Sequence, residues 1–222
     1  MNPRRAIPTC VILVFACISL LSAQEPVKYH EPFQGAPKQA KDFVLLGVDA
    51  AECVKYEADG LRITLPGGRS RSPTGVATTF ALSGDFDVSV RYEMLQEPEP
   101  ADAGTSNTGT RNSLTAKPIE FGEASIRRKV TSELPVHILT WRLMRQNFEA
   151  KPMPKGANFK VLQKKGRLRI ERKGTELFYY QSEGNEIEDR VLTSFPFVAD
   201  DVREIQLFGE TSSPKAALEA RF

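Results

Sequence analysis

The chain holds only two histidines, three cysteines and one tryptophan. His30 and His137 are far apart, and no HExxH, CxxC or EF-hand spacing occurs, so no metal site and no cofactor are expected. No G-x-S-x-G elbow is present to carry a nucleophilic serine. Pro66-Gly-Gly-Arg-Ser70 is glycine-rich, but no helix follows it to complete an anion site, and it reads as a turn. No segment keeps a period of 3.6 beyond a single turn, which excludes helical bundles and alternating α/β folds. No apolar run reaches membrane length. The longest, Cys10 to Leu21, spans about 12 residues, short of the roughly 20 a crossing helix needs.

That run has a different use. Arg4 and Arg5 precede it, and Ser22-Ala23 offers small residues at a cleavage point before Gln24. This is the layout of a Sec-type signal peptide over residues 1–23, and it predicts a secreted, periplasmic or cell-envelope protein with no transmembrane anchor after cleavage. Removing it takes Lys plus Arg from 30 to 28 and leaves Asp plus Glu at 28, so the mature chain is formally neutral. No basic field remains to argue for nucleic acid. Cys10 and Cys17 leave as well. Cys53 stands alone and cannot form an internal disulfide.

Residues 24–42 read as a polar lead-in with Pro26, Pro32 and Pro37, and 43–222 as one domain. Asp49-Ala-Ala-Glu52 can form one helical turn. The most regular stretch is Gly84 to Leu95. There Phe86, Val88, Val90, Tyr92 and Met94 share one parity, and Asp87, Ser89, Arg91 and Glu93 share the other. Such alternation marks a half-buried antiparallel strand with its apolar face inward. Leu61–Leu65, Gly75–Leu82, Ile119–Val130, Val136–Arg145, Gly166–Gly174, Glu176–Glu183, Arg190–Phe195, Val202–Gly209 and Ala216–Phe222 read as further strands, with a weaker one at Cys53–Glu57. Gln96–Lys117 and Asn147–Gln163, rich in breakers, read as long connections. About eleven strands joined by Gly/Pro turns predict an all-β antiparallel jelly-roll sandwich.

The closely spaced acids Asp85 and Asp87 are the first place to seek a catalytic pair. Jelly-roll glycosidases place a third acid further along such a strand, and here that position is Val90. Asp85 also sits in a turn, so no catalytic residues are assigned. Lys160 to Lys173 carries seven basic residues and one acid. Arg167 and Arg169 fall opposite Leu168 and Ile170, which makes a solvated strand face or, more sharply, a surface for an acidic polysaccharide. Trp141, Phe178 and Tyr180 are the candidate ligand-binding residues, because sugar sites combine aromatic rings with a few polar groups. Trp141 shares its parity with His137, Leu139 and Leu143, and core packing is the competing use.

Gly60-Leu-Arg-Ile-Thr-Leu-Pro66, Gly84 to Leu95, Gly166-Arg-Leu-Arg-Ile-Glu-Arg-Lys-Gly174 and Asp201-Val-Arg-Glu-Ile-Gln-Leu-Phe208, in that order and spacing, resemble a secreted bacterial family, domain of unknown function 1583. The resemblance covers about residues 43–222. More distantly the layout is similar to the concanavalin A-like lectin and glucanase superfamily. The resemblance implies that fold and an extracellular setting, and brings no catalytic or binding residues. The expected function is an exported, non-catalytic β-sandwich that binds a glycan or a cell-surface protein. The alternatives are a carbohydrate-active hydrolase with an unrecognised carboxylate pair and a structural envelope component.

Overall fold

A computed structural model describes residues 29–35, 40–68, 72–97, 110–118, 122–130, 135–143, 155–197, 201–211 and 215–222. Contacts divide the chain into Met1–His30 and Glu31–Phe222. Of the first unit only Tyr29 and His30 are described, so the architecture is that of the second. Residues 1–28 and 36–39, which hold the expected leader and much of the expected lead-in, lie outside the described residues.

Fourteen strands occur among the described residues. They are β1 (Phe43–Leu46), β2 (Val54–Glu57), β3 (Gly60–Leu65), β4 (Thr74–Thr78), β5 (Phe86–Gln96), β6 (Thr110–Pro118), β7 (Gly122–Val130), β8 (Pro135–Leu143), β9 (Lys155–Lys160), β10 (Lys165–Lys173), β11 (Glu176–Glu183), β12 (Arg190–Pro196), β13 (Val202–Glu210) and β14 (Leu218–Arg221). One short helix, α1 (Ala50–Cys53), buries Ala50 and Cys53. Two seven-stranded sheets form, ordered β1-β4-β13-β6-β7-β8-β9 and β12-β11-β10-β5-β14-β3-β2. Every pairing is antiparallel. This is the jelly-roll sandwich that the strand pattern predicts.

Two expected connections contain strands. β6 lies in Gln96–Lys117 but for its last residue, Pro118, and pairs with β13 and β7. β9 lies within Asn147–Gln163 and pairs with β8. Both are Ser-, Thr-, Asn- or Lys-rich and lack an apolar stripe. Their backbone groups are satisfied by the strands they pair with, β13 far along the chain and β7 and β8 next to them in sequence, and such pairing leaves no alternation in the strand's own residues. β1 pairs with β4 and adds a third strand beyond those expected.

The core lies between the sheets. Leu168 and Ile170 of β10, Tyr92 and Met94 of β5, Leu61, Ile63 and Leu65 of β3, and Leu218 and Ala220 of β14 meet Ala124 and Ile126 of β7 and Leu207 of β13. The parity of β5 is as expected: Tyr92 and Met94 are buried, Phe86, Val88 and Val90 pack on the core, and Asp87, Ser89 and Arg91 face solvent. Gly209 lets the two sheets pack closely at β13, since a Cβ there would lie 2.6 Å from a Leu218 methyl carbon. The β10–β11 hairpin turns at Gly174-Thr175, with Gly174 at φ 58°, as the first position of a type II′ turn requires. Among the described residues no helix is long and apolar enough to cross a membrane.

Candidate functional site

The outer face of the second sheet gathers the residues that the strand pattern points outward. On β10, Gly166, Leu168, Ile170 and Arg172 are buried, while Arg167, Arg169 and Glu171 remain partly exposed. On β11, Leu177 and Tyr179 are buried, and Phe178 and Tyr180 lie half-buried on the other face. Pairing sets these side chains in rows, because directly opposed residues of antiparallel strands share a face. One row runs Ser194, Phe178, Glu171, Asp87 across β12, β11, β10 and β5. The next runs Val191, Tyr180, Arg169, Ser89.

Arg169 is the hub. Its Nε and one Nη donate to the two carboxylate oxygens of Asp87, each at 2.7 Å. It also lies 3.5 Å from Asp189 and 3.6 Å from Glu171. Its guanidinium sits over the Tyr180 ring, 4.4 Å from the centroid. The Tyr180 hydroxyl donates to Glu171. Partial burial, then that hydrogen bond and the Glu171 charge, push the Tyr180 phenol up to about 12, so it stays a donor at neutral pH. Lys173 bridges Glu171 at 3.1 Å and lies 5.6 Å from the Phe178 ring centroid. Arg167 donates to Asp189 and to the Ile187 carbonyl, each at 2.8 Å. Val191 and Ile187, at 57% and 88% exposure, add apolar surface beside Tyr180 and Arg167. Two held aromatic rings thus stand among fixed donors and acceptors, an arrangement suited to a polyhydroxylated ligand.

The aromatic candidates do not share one site. Phe178 and Tyr180 lie together on β11. Trp141 belongs to β8 of the other sheet, where it pairs with Ala124, a residue of the core. The side chains of Trp141 and His137 lie outside the described residues. Asp85 and Asp87 take separate duties: Asp85 accepts from the backbone N–H of Gly174 at 2.7 Å and ties two turns together, while Asp87 holds Arg169. The acid that does face Asp87 is Glu171, directly across β5 and β10. Such opposition puts Cβ atoms about 5 Å apart, close to the spacing of a retaining glycosidase pair. Both carboxylates, however, are engaged by Arg169, and Glu171 by Tyr180 and Lys173 as well. Sequence reading missed Glu171 and Asp189 as members of this network. Glu171 was visible as the outward partner of Arg169 on β10, but its opposition to Asp87 depends on a register across 84 positions of sequence. Among the described residues no cluster of three or more His, Cys, Asp or Glu could hold a metal ion.

Comparison with known proteins places this surface in context. A family model described as protein of unknown function (DUF1583), C domain, matches residues 20–222. No curated protein matches the sequence. Similar solved structures include a legume lectin-like domain from Entamoeba histolytica, with TM-score 0.58 and 12% identity, covering 89% of this chain and 96% of that one. A pseudo-β-1,3-glucanase and immunostimulatory antigen of Mycobacterium tuberculosis aligns with TM-score 0.57 and 12% identity over 87% and 97%. A Bacillus licheniformis β-glucanase aligns with TM-score 0.55 and 11% identity over 89% and 95%. The fold is therefore that of the concanavalin A-like lectins and glucanases.

Proposed function

We propose, for a chain that belongs to the DUF1583 C-domain family and carries a lectin and glucanase fold, that the outer face of its second sheet binds a glycan. The observation that carries this reading is the pair of outward rings, Phe178 and Tyr180, held beside Arg169, Glu171 and Asp87. A sugar offers C–H faces to aromatic rings and hydroxyls to charged groups, and both are supplied here on rigid strands rather than on loops. Pre-ordered side chains lose little entropy on binding. The chain is read as exported through the leader at residues 1–23, which sets the surface where polysaccharides and cell-surface proteins are met.

The test is a glycan array followed by calorimetry. Tyr180→Ala is expected to weaken binding about tenfold or more, the loss of one stacking and one hydrogen-bonding contact. Trp141→Ala is expected to leave it unchanged. Loss through Trp141 instead would move the site to the other sheet, and no binding to any glycan would favour a protein partner.

A second reading rests on the opposition of Asp87 and Glu171. If the chain hydrolyses a glycan, that pair is the machinery, and Asp87→Asn would abolish turnover while Tyr180→Ala would weaken substrate binding. The engagement of both acids by Arg169 weighs against this reading, because a nucleophile and an acid need oxygens free to meet the substrate.

A further inference from the structure

At one end of the same face lies an open hollow of about 210 Å³, lined by Arg91 and Glu93 of β5, Lys165 of β10, Arg221 of β14, and the turn residues Asp59 and Asn185. A hollow of that size has room for several waters and so for a polar group of a ligand. The acids of the hollow are committed: Arg221 binds both Asp59 and Glu93. The remaining cations are not matched. Among the described residues neither Arg91 nor Lys165 forms a salt bridge, and Glu93, which stands directly across from Lys165, is held by Arg221 instead. Arg91 also stands directly opposite Arg167 across β5 and β10, both side chains facing outward. Like charges directly opposed in a sheet are destabilising. Arg167 is compensated by Asp189, so the uncompensated charge is that of Arg91.

We infer that Arg91, with Lys165 beside it, takes the anionic group of an acidic glycan, a carboxylate or a sulfate borne on a sugar ring. An arginine whose guanidinium fork is unoccupied matches the two coplanar oxygens of such a group, and an ammonium adds a second charge-assisted bond. The hollow is continuous with the aromatic surface. Arg91 is two residues along β5 from Ser89, which faces Arg169 and through it Tyr180. Strand spacing and rise put Tyr180 and Arg91 about 12 Å apart along the face, a distance that an oligosaccharide of a few sugars spans. A chain stacked on Tyr180 thus presents the acid of a neighbouring unit to Arg91. This inference rests on the glycan reading and names its ligand class.

The experiment compares three probes by calorimetry: an oligogalacturonate, its fully methyl-esterified form, and a sulfated galactan oligosaccharide. The wild-type protein is expected to bind one of the two acidic probes at least about tenfold more tightly than the ester, the scale of one charge-assisted bond. Which acidic probe wins separates carboxylate from sulfate. Arg91→Gln is expected to remove that margin and leave the ester affinity unchanged, Lys165→Gln is expected to reduce it, and Tyr180→Ala is expected to weaken all three probes. Equal binding of acid and ester, or a margin that survives Arg91→Gln, overturns the anionic subsite and leaves the glycan reading standing. Failure of the wild-type protein to bind any of the three, with no neutral glycan bound on the array, overturns both.

Discussion

Glu97 and Asp87 each hold an arginine, but the two pairs sit in different media. Arg128, partner of Glu97, is 2% exposed on the inner face of β7 and also donates to the Gln163 carbonyl. Arg169, partner of Asp87, lies on the outer face with half of the Asp87 side chain in solvent. Removing Glu97 strands a buried cation, and Glu97→Ala is expected to cost about 3–5 kcal/mol. Asp87→Ala removes a water-screened pair and is expected to cost about 1 kcal/mol or less. Urea unfolding of the two variants gives the comparison, and equal losses would contradict the placement of Arg128. The tyrosines offer a second reading of burial. Burial raises the phenols of Tyr92 and Tyr179, burial and the Glu31 charge raise Tyr56, and Tyr180 is pushed up to about 12. A phenol with a raised folded value favours the folded state fully below the unfolded value of about 10, and loses that contribution as pH rises through the folded value. Phenolate absorbance of the native protein is therefore expected to lag well behind that of the denatured chain above pH 10, with stability declining over the same window. Coincident curves would contradict it.

At the scale of elements, legibility follows how much of a strand's environment is local. β5, β10 and β11 are visible because each separates an apolar face from a polar one, and parity alone then puts Tyr92, Leu168 and Tyr179 inside and Asp87, Arg169 and Tyr180 outside. β6 and β9 are not visible, because Thr110–Pro118 and Lys155–Lys160 are strands by virtue of the partners they pair with. The site divides the same way. Phe178 and Tyr180 could be named from their hairpin, and Arg167 and Arg169 from their alternation. The Asp87–Glu171 opposition, the Asp189 contact and the Arg91–Arg167 clash are properties of register. Antiparallel register between strands so far apart is set by the folded sandwich as a whole. Arg172 marks the limit of parity reasoning. It falls on the inner face of β10, is 1% exposed, and is accommodated by the Gly84 carbonyl and by the Phe86 ring, 4.9 Å from its guanidinium carbon.

For the molecule as a whole, a net charge of only +2 conceals a structured one. Acids and bases of the second sheet's outer face mostly neutralise one another in pairs, while Arg91 and Lys165 at one end, and Lys55 of β2, opposite Arg62, are left without a salt bridge among the described residues. A ligand that recognises this face needs the assembled sheet, since β5, β10 and β11 contribute to it from separate parts of the chain. It therefore binds the folded state alone and must stabilise it. At a free glycan concentration one hundred times its dissociation constant, the gain is about 2.7 kcal/mol. For a domain of this size that corresponds to a rise of roughly 5–10 °C in melting temperature. Differential scanning calorimetry of the wild-type protein with and without the tightest-binding glycan is expected to show that rise. Tyr180→Ala at the same glycan concentration is expected to show most of it lost, and Trp141→Ala to retain it relative to its own unliganded melting point. A full shift in Tyr180→Ala would place the ligand elsewhere on the sandwich.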